Sequence, residues 1–189
     1  MNIVKIVKNY LSIEECDALN LWVKDAIASD TLSFGQNSRE NLSRDYTLRY
    51  TSRFTAEKYE YPQLALDIYN RIETNFNLEQ WHSPVHPHGK NGIVVSATLP
   101  GGGVYLHKDP MIPDTLETLR CNILTSETEG GLIHVGNEIY QLKKGDMMQY
   151  LVSRHEHSVE TVIGNENDLR ILWMFGWCVD GDEWEASIN

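Results

Sequence analysis

From Ile93 to Trp177 the sequence breaks into short strand-like runs separated by turn signals, and this pattern limits the fold more than any other feature. The runs read "IVVSATL", "GVYLH", "TLRCNIL", "GLIHV", "EIYQL", "DMMQYL", "HSVETV" and "LRILWMFGW". The preceding part has a different character. "NIVKIVKNYL" reads as a short strand, and Ser12 then stands three residues before Glu15, a capping box that opens a helix with Leu19, Trp22, Val23, Ala26 and Ile27 on its apolar face. "YTLRYTSRF" alternates as a strand, with Thr47, Arg49, Thr51 and Arg53 on one face and Tyr46, Leu48, Tyr50 and Phe54 on the other. Pro62 falls in the first turn of a second helix, whose stripe is Leu64, Ile68, Ile72 and Phe76. Helices followed by a long series of short strands predict an α+β chain, mainly β. Its jelly-roll core covers about 92–178, and the helices of the supporting part, about 1–80, pack on one sheet. A length of 189 residues fits one domain, 1–189.

Charge narrows the function classes. Lys and Arg number 16 against 27 Asp and Glu, a net charge of -11, so phosphate backbones and anionic bilayers would repel the chain and no nucleic acid or membrane partner is expected. Cys16, Cys121 and Cys178 are far apart and form no Cys-x-x-Cys pair, as expected of a reduced, cytoplasmic protein. "LRILWMFGWCV", the most apolar stretch, is too short to span a bilayer and begins beside Arg170. The stretch from Ser33 to Asp45 is polar and without period, which marks a loop of the kind that covers a site.

"YLHKDP" places His107 and Asp109 two positions apart, so on a strand both project to one face while Lys108 projects away. Such a triplet is weak evidence alone. Downstream, "SRHEHSV" offers a third ligand: His157 opens the alternating run His157, Val159, Thr161 and is preferred, with His155 as the alternative. Two histidines and one carboxylate without sulfur make the facial triad that leaves positions open on a non-haem Fe(II) ion, whereas three histidines or a cysteine set would argue for zinc. Arg170 enters an apolar run, which is costly unless its guanidinium meets an anion. The plain alternative is a pair with Asp168 or Glu166 at the strand end. His82, His86 and His88 read as a loop broken by prolines, His134 as a strand histidine, Gly101 to Gly103 as a tight turn, and "DGDEWEASIN" as a solvated tail.

Taken together, "LPGGGVYLHKDP", "LRCNILTSETEGGLIHV", "QLKKGDMMQYLVSRHEHSV" and "DLRILWMFGW" resemble the 2-oxoglutarate/Fe(II)-dependent dioxygenases, in particular their prolyl-4-hydroxylase-like branch, and "NYLSIEECDAL" resembles its helix-opening segment. The resemblance implies a double-stranded β-helix with His107, Asp109 and His157 binding iron and Arg170 binding the distal carboxylate of 2-oxoglutarate. Dioxygen and a small-molecule or peptide substrate would be the other partners, with release of succinate. Relatives that halogenate have a small residue in place of the carboxylate, so Asp109 implies hydroxylation. The position two after Arg170 is Leu172, not a hydroxyl residue. Thr125 is a second cosubstrate contact if Leu119, Cys121 and Ile123 share its inward face; the opposite register presents Arg120 and Asn122. Arg39, Arg44, Arg49, Arg53 and Arg120 are candidates to meet a substrate carboxylate. The competing classes are a jelly-roll binding module without chemistry and a cupin-like metal enzyme that needs no 2-oxoglutarate.

Overall fold

In the computed structural model, which describes residues 2–35, 46–51, 60–81, 92–109 and 116–189, the helical part is built as its capping signals dictate. The strand β1 (Lys5–Val7) leads into α1 (Ile13–Ala28). There the Ser12 hydroxyl accepts from the Glu15 N–H at 3.2 Å, and the Glu15 carboxylate accepts from the Ser12 N–H at 2.9 Å. Pro62 is the N-cap of α2 (Gln63–Asn75), one place earlier than its first turn. β2 (Ser33–Gly35) pairs with β3 (Tyr46–Thr51), so the expected covering loop is a strand at its start, while its remainder, 36–45, lies outside the described residues. Arg39, Arg44, Arg53, His82, His86 and His88 also lie outside them.

The strands that follow are β4 (Ile93–His107), β5 (Glu117–Leu124), β6 (Glu129–Gly130), β7 (Ile133–Val135), β8 (Glu138–Tyr140), β9 (Met147–Leu151), β10 (His157–Val159), β11 (Val162–Ile163) and β12 (Arg170–Val179). Among the described residues ten strands form one curled antiparallel sheet in the order β1-β9-β5-β12-β4-β10-β7-β8, with β3 on β4 and β2 on β3, and β11 pairs with β6 apart from it. β4 is the hinge of this curl. Its first half, to Thr98, pairs with β12, and its second half pairs with β10. "IVVSATL" and "GVYLH" are therefore one strand, and Gly101 to Gly103 lie inside it instead of forming a separate turn. Between the two halves β3 advances from Thr47 to Arg49 while β4 steps from Gly103 back to Thr98, so the "LPGG" residues bulge out of the ladder. At Gly103 a Cβ would stand 2.8 Å from the Val159 carbonyl oxygen, which only glycine avoids at this contact with β10.

Strand alternation gives the sheet two faces with different tasks. Val95 and Ala97 of β4, Leu119, Cys121 and Ile123 of β5, and Ile171, Trp173, Phe175 and Trp177 of β12 turn to the helices, where they join Leu19 and Val23 of α1 and Ile68 and Ile72 of α2 in the main core. Trp177 stacks on Tyr69 with ring centroids 4.5 Å apart, and Trp173 meets Trp22 at 5.6 Å. Each such large side chain contributes about 1.5–3 kcal/mol on burial. The alternate residues line the inside of the curl. The C-terminal segment is not a solvated tail: Asp180 accepts from the N–H groups of Asp182 and Glu183 and caps α3 (Gly181–Ile188), whose Trp184 is buried in the main core. Among the described residues no helix is long and apolar enough to cross a membrane.

A buried carboxylate ties the N-terminus to the turn before β9. Asp146 accepts from Lys8 Nζ at 2.8 Å and from the N–H groups of Asn9 and Lys143, both at 3.0 Å. Burial opposes its charge, but these donors hold its carboxyl below the usual carboxylate range. Its contribution is therefore full above that range and is lost as pH falls through it. Asp146→Asn is expected to lower unfolding free energy by about 1–3 kcal/mol at neutral pH. Urea midpoints across pH 3–7 should converge for the variant and the native chain at the acid end.

Candidate metal centre

Two of the candidate ligands lie on neighbouring strands, and the third, Asp109, lies two residues past the end of one of them. β10 places His157 directly opposite His107 on β4, and the next matched pair is Val159 with Val104. Between these pairs one residue on β10, Ser158, thus faces two on β4. This bulge at Tyr105 and Leu106 lets Val104 and His107, three apart, both line the interior, which strict alternation would forbid. Asp109 follows His107 by two positions and is fixed by its N–H, which donates to the Val152 carbonyl at 3.0 Å. Lys108 between them is exposed.

The ligand atoms of His107, Asp109 and His157 lie within 4.8 Å of one another. The two imidazole centroids are 4.3 Å apart, and His107 Nε2 is 3.4 Å from Asp109 Oδ1. His107 Nδ1 is 2.7 Å from the Tyr105 carbonyl oxygen and His157 Nδ1 is 3.1 Å from that of His155. A carbonyl only accepts, so in the neutral rings the proton sits on Nδ1 and the lone pair on Nε2, the arrangement of a metal-ligating histidine. Burial disfavours the Asp109 charge, yet a bond from His107 when its Nε2 also carries a proton, the Arg120 charge and the charge of a protonated His157 hold its carboxyl below the usual range. Two nitrogens and one carboxylate, with no sulfur, suit Fe(II) with positions left open. His155, the alternative ligand, instead meets Glu185 Oε1 at 2.8 Å on α3.

These groups open on a cavity of about 230 Å³ inside the curl. Val94, Val152, Val159, Ile133, Leu172 and Met174 make most of its wall apolar. Arg170 enters it from the start of β12 and is 3% exposed. It stands opposite Thr98, which stands opposite Arg49, so two guanidiniums share one row across three strands. Arg170 has no hydrogen bond or ion pair among the described residues; Asp168, its surface alternative, accepts from Asn165 instead. Burial, reinforced by the Arg49 charge, pushes the Arg170 pKa down to about 10. A buried guanidinium in this state calls for an anion.

Thr125 is not at this site. β5 adopts the register that turns Arg120 and Asn122 inward, and the Thr125 hydroxyl donates to Asn20 Oδ1 of α1 at 2.6 Å. Leu119, Cys121 and Ile123 are needed by the main core, and Thr125 shares their face. The residue that sequence reasoning missed is Tyr150 on β9. Burial and the Asp109 charge raise its pKa, against the opposing effect of the neighbouring Asn122 side chain, so it is a neutral phenol. His134 is satisfied by Glu160 Oε1 at 2.7 Å.

No protein-family model matches the sequence, and neither does any curated protein. Solved structures do match. A prolyl hydroxylase from Trichoplax adhaerens, in complex with a hypoxia inducible factor peptide fragment, aligns over 99% of this chain and 88% of its own at 14% identity, with a TM-score of 0.68. A Pseudomonas putida prolyl-4-hydroxylase covers 94% of this chain and 92% of its own at 13% identity, with a TM-score of 0.65. The viral collagen prolyl hydroxylase of Paramecium Bursaria Chlorella virus-1, in its 2OG complex, covers 94% and 96% at 14% identity, with a TM-score of 0.61. At such identities the likeness establishes the fold: the chain has the jelly-roll architecture of the 2OG-Fe(II) oxygenases.

Proposed function

We propose that the chain is an Fe(II)- and 2-oxoglutarate-dependent oxygenase that hydroxylates an aliphatic C–H of a small molecule, an amino acid or a peptidyl substrate. The observation that carries this reading is one cavity with the His107, Asp109 and His157 cluster and, on another strand, a buried Arg170 with no hydrogen bond or ion pair among the described residues. His107, Asp109 and His157 would hold the iron. Arg170 would take the distal carboxylate of 2-oxoglutarate, for which its planar fork is suited. When bound, iron with 2-oxoglutarate and dioxygen supplies the oxidant, and the cosubstrate leaves as succinate and carbon dioxide. The chain's own part is to orient these groups and keep water out. The Tyr105 and His155 carbonyls fix the ring orientations, and the aliphatic wall provides a dry chamber. Asp109 occupies the position that halogenating relatives leave open, which favours hydroxylation. A binding module without chemistry has no need for His107, Asp109, His157 and Arg170 together, and a metal enzyme that uses no 2-oxoglutarate has no need of Arg170.

The test is turnover. With Fe(II), ascorbate and air, purified protein should convert 2-oxoglutarate to succinate, faster when a true substrate is added. Mass spectrometry should find that substrate heavier by one oxygen, and the label should come from ¹⁸O₂. Absence of succinate from metal-loaded protein across amino-acid and peptide panels would contradict the reading.

A further inference from the structure

Arg120 is a third guanidinium in the same cavity, half-buried and additional to Arg49 and Arg170, and the cosubstrate does not account for it. It lies on β5 opposite Tyr150 of β9 and Gly176 of β12. Its sole hydrogen bond among the described residues is a long one, from Nη1 to the Gly92 carbonyl oxygen at 3.4 Å. The acidic group whose charge acts on it is Asp109. The space it occupies is built for it: a Cβ at Gly176 would stand 2.5 Å from Arg120 Nη1, so any other residue there would displace the guanidinium. Arg170 is six residues from Gly176 along β12, roughly 20 Å of strand at about 3.3 Å per residue, so the two guanidiniums serve opposite ends of the cavity.

Charge balance separates their roles. On the oxygenase reading, on which this inference rests, a divalent metal, the Asp109 carboxylate, the 2-oxoglutarate dianion and the Arg170 guanidinium sum to neutrality, and the Arg49 guanidinium stands in the row of Arg170, six residues along β12 from the place of Arg120. Asp109 is then committed to the metal. Arg120 remains as an uncompensated charge at the metal end of a largely apolar chamber, in a chain that is acidic as a whole. An internal peptide residue would offer it only a neutral carbonyl. We propose that the substrate is a small carboxylic acid, and that Arg120 binds its carboxylate beside the metal and so sets which C–H faces the iron.

The test uses protein loaded with Mn(II) and 2-oxoglutarate and matched probes: pentanoate with pentanamide, L-proline with L-prolinamide, L-leucine with L-leucinamide, and N-acetyl-L-prolinamide to represent an internal prolyl residue. Paramagnetic relaxation of probe protons by Mn(II) reports binding near the metal without turnover. In at least one pair the acid should bind about 10- to 150-fold more tightly than its amide, the range of a charge-assisted bond. Arg120→Gln should remove that preference and Arg120→Lys should keep part of it, without the loss of 2-oxoglutarate affinity that Arg170→Ala causes. Amides or N-acetyl-L-prolinamide binding as well as the acids would overturn the proposal, as would binding of no probe. So would Arg120→Gln weakening 2-oxoglutarate as much as it weakens the acids, because Arg120 would then serve the cosubstrate. Failure of wild-type protein to bind 2-oxoglutarate at all is seen before any probe is added, and it strikes the oxygenase reading itself.

Discussion

Alanine at His107 or at Asp109 is expected to abolish tight binding of Fe(II) and of its substitutes Mn(II) and Co(II), one ion per chain in the native protein. The three ligand atoms lie within 4.8 Å of one another, and removing one leaves only two protein ligands. Loss of groups that merely orient a ligand already costs about 10- to 100-fold in metal affinity, so loss of a ligand itself should exceed about 100-fold. Calorimetric titration of the metal measures this, with circular dichroism to verify the fold. His157→Ala should behave alike. His155→Ala should not, because that imidazole is held by Glu185 on α3. Wild-type metal affinity in the His107 and Asp109 variants would remove the assignment.

Arg170→Ala should weaken 2-oxoglutarate by about 10- to 150-fold while leaving metal affinity unchanged, since the side chain reaches the cavity from the start of β12, and it shares no hydrogen bond or ion pair with His107, Asp109 or His157. Arg170→Lys should recover only part of the loss, because an ammonium keeps the charge but not the two-pronged geometry. Fluorescence or calorimetric titration of the metal-loaded variants gives the comparison. Unchanged affinity in Arg170→Ala would place the anion site elsewhere.

The sequence disclosed most where one face of an element is buried and the other is not. His107 and Asp109 were legible from their spacing of two, and His157 from the alternation that begins at it; the structure brings the three together. The α1 boundary was legible because Ser12 and Glu15 satisfy each other locally. β5 was legible as an alternating strand, with Leu119, Cys121 and Ile123 on one face and Arg120 and Asn122 on the other. Both faces are covered, one by the helices and one by the cavity, so the alternation of "TLRCNIL" does not say which of them lines the site. The choice fell to a distant partner, Asn20, and took Thr125 out of the site. Tyr150 escaped notice for the same reason, since every residue of β9 is buried. The bulge at Tyr105 and Leu106 depends on the pairing with β10, a contact about 50 residues away in the chain. α3 was hidden by its acid-rich composition, in which the single buried anchor is Trp184.

The most direct test of the shared site is calorimetric titration of 2-oxoglutarate into metal-free protein, Mn(II)-loaded protein and Asp109→Ala protein in the presence of Mn(II). If metal and Arg170 hold opposite ends of one dianion, tight binding should occur only in the Mn(II)-loaded native chain and fall by at least about 10-fold in the other two samples. Equal affinity in all three, or no binding in the loaded native chain, would contradict a metal and 2-oxoglutarate site in this cavity.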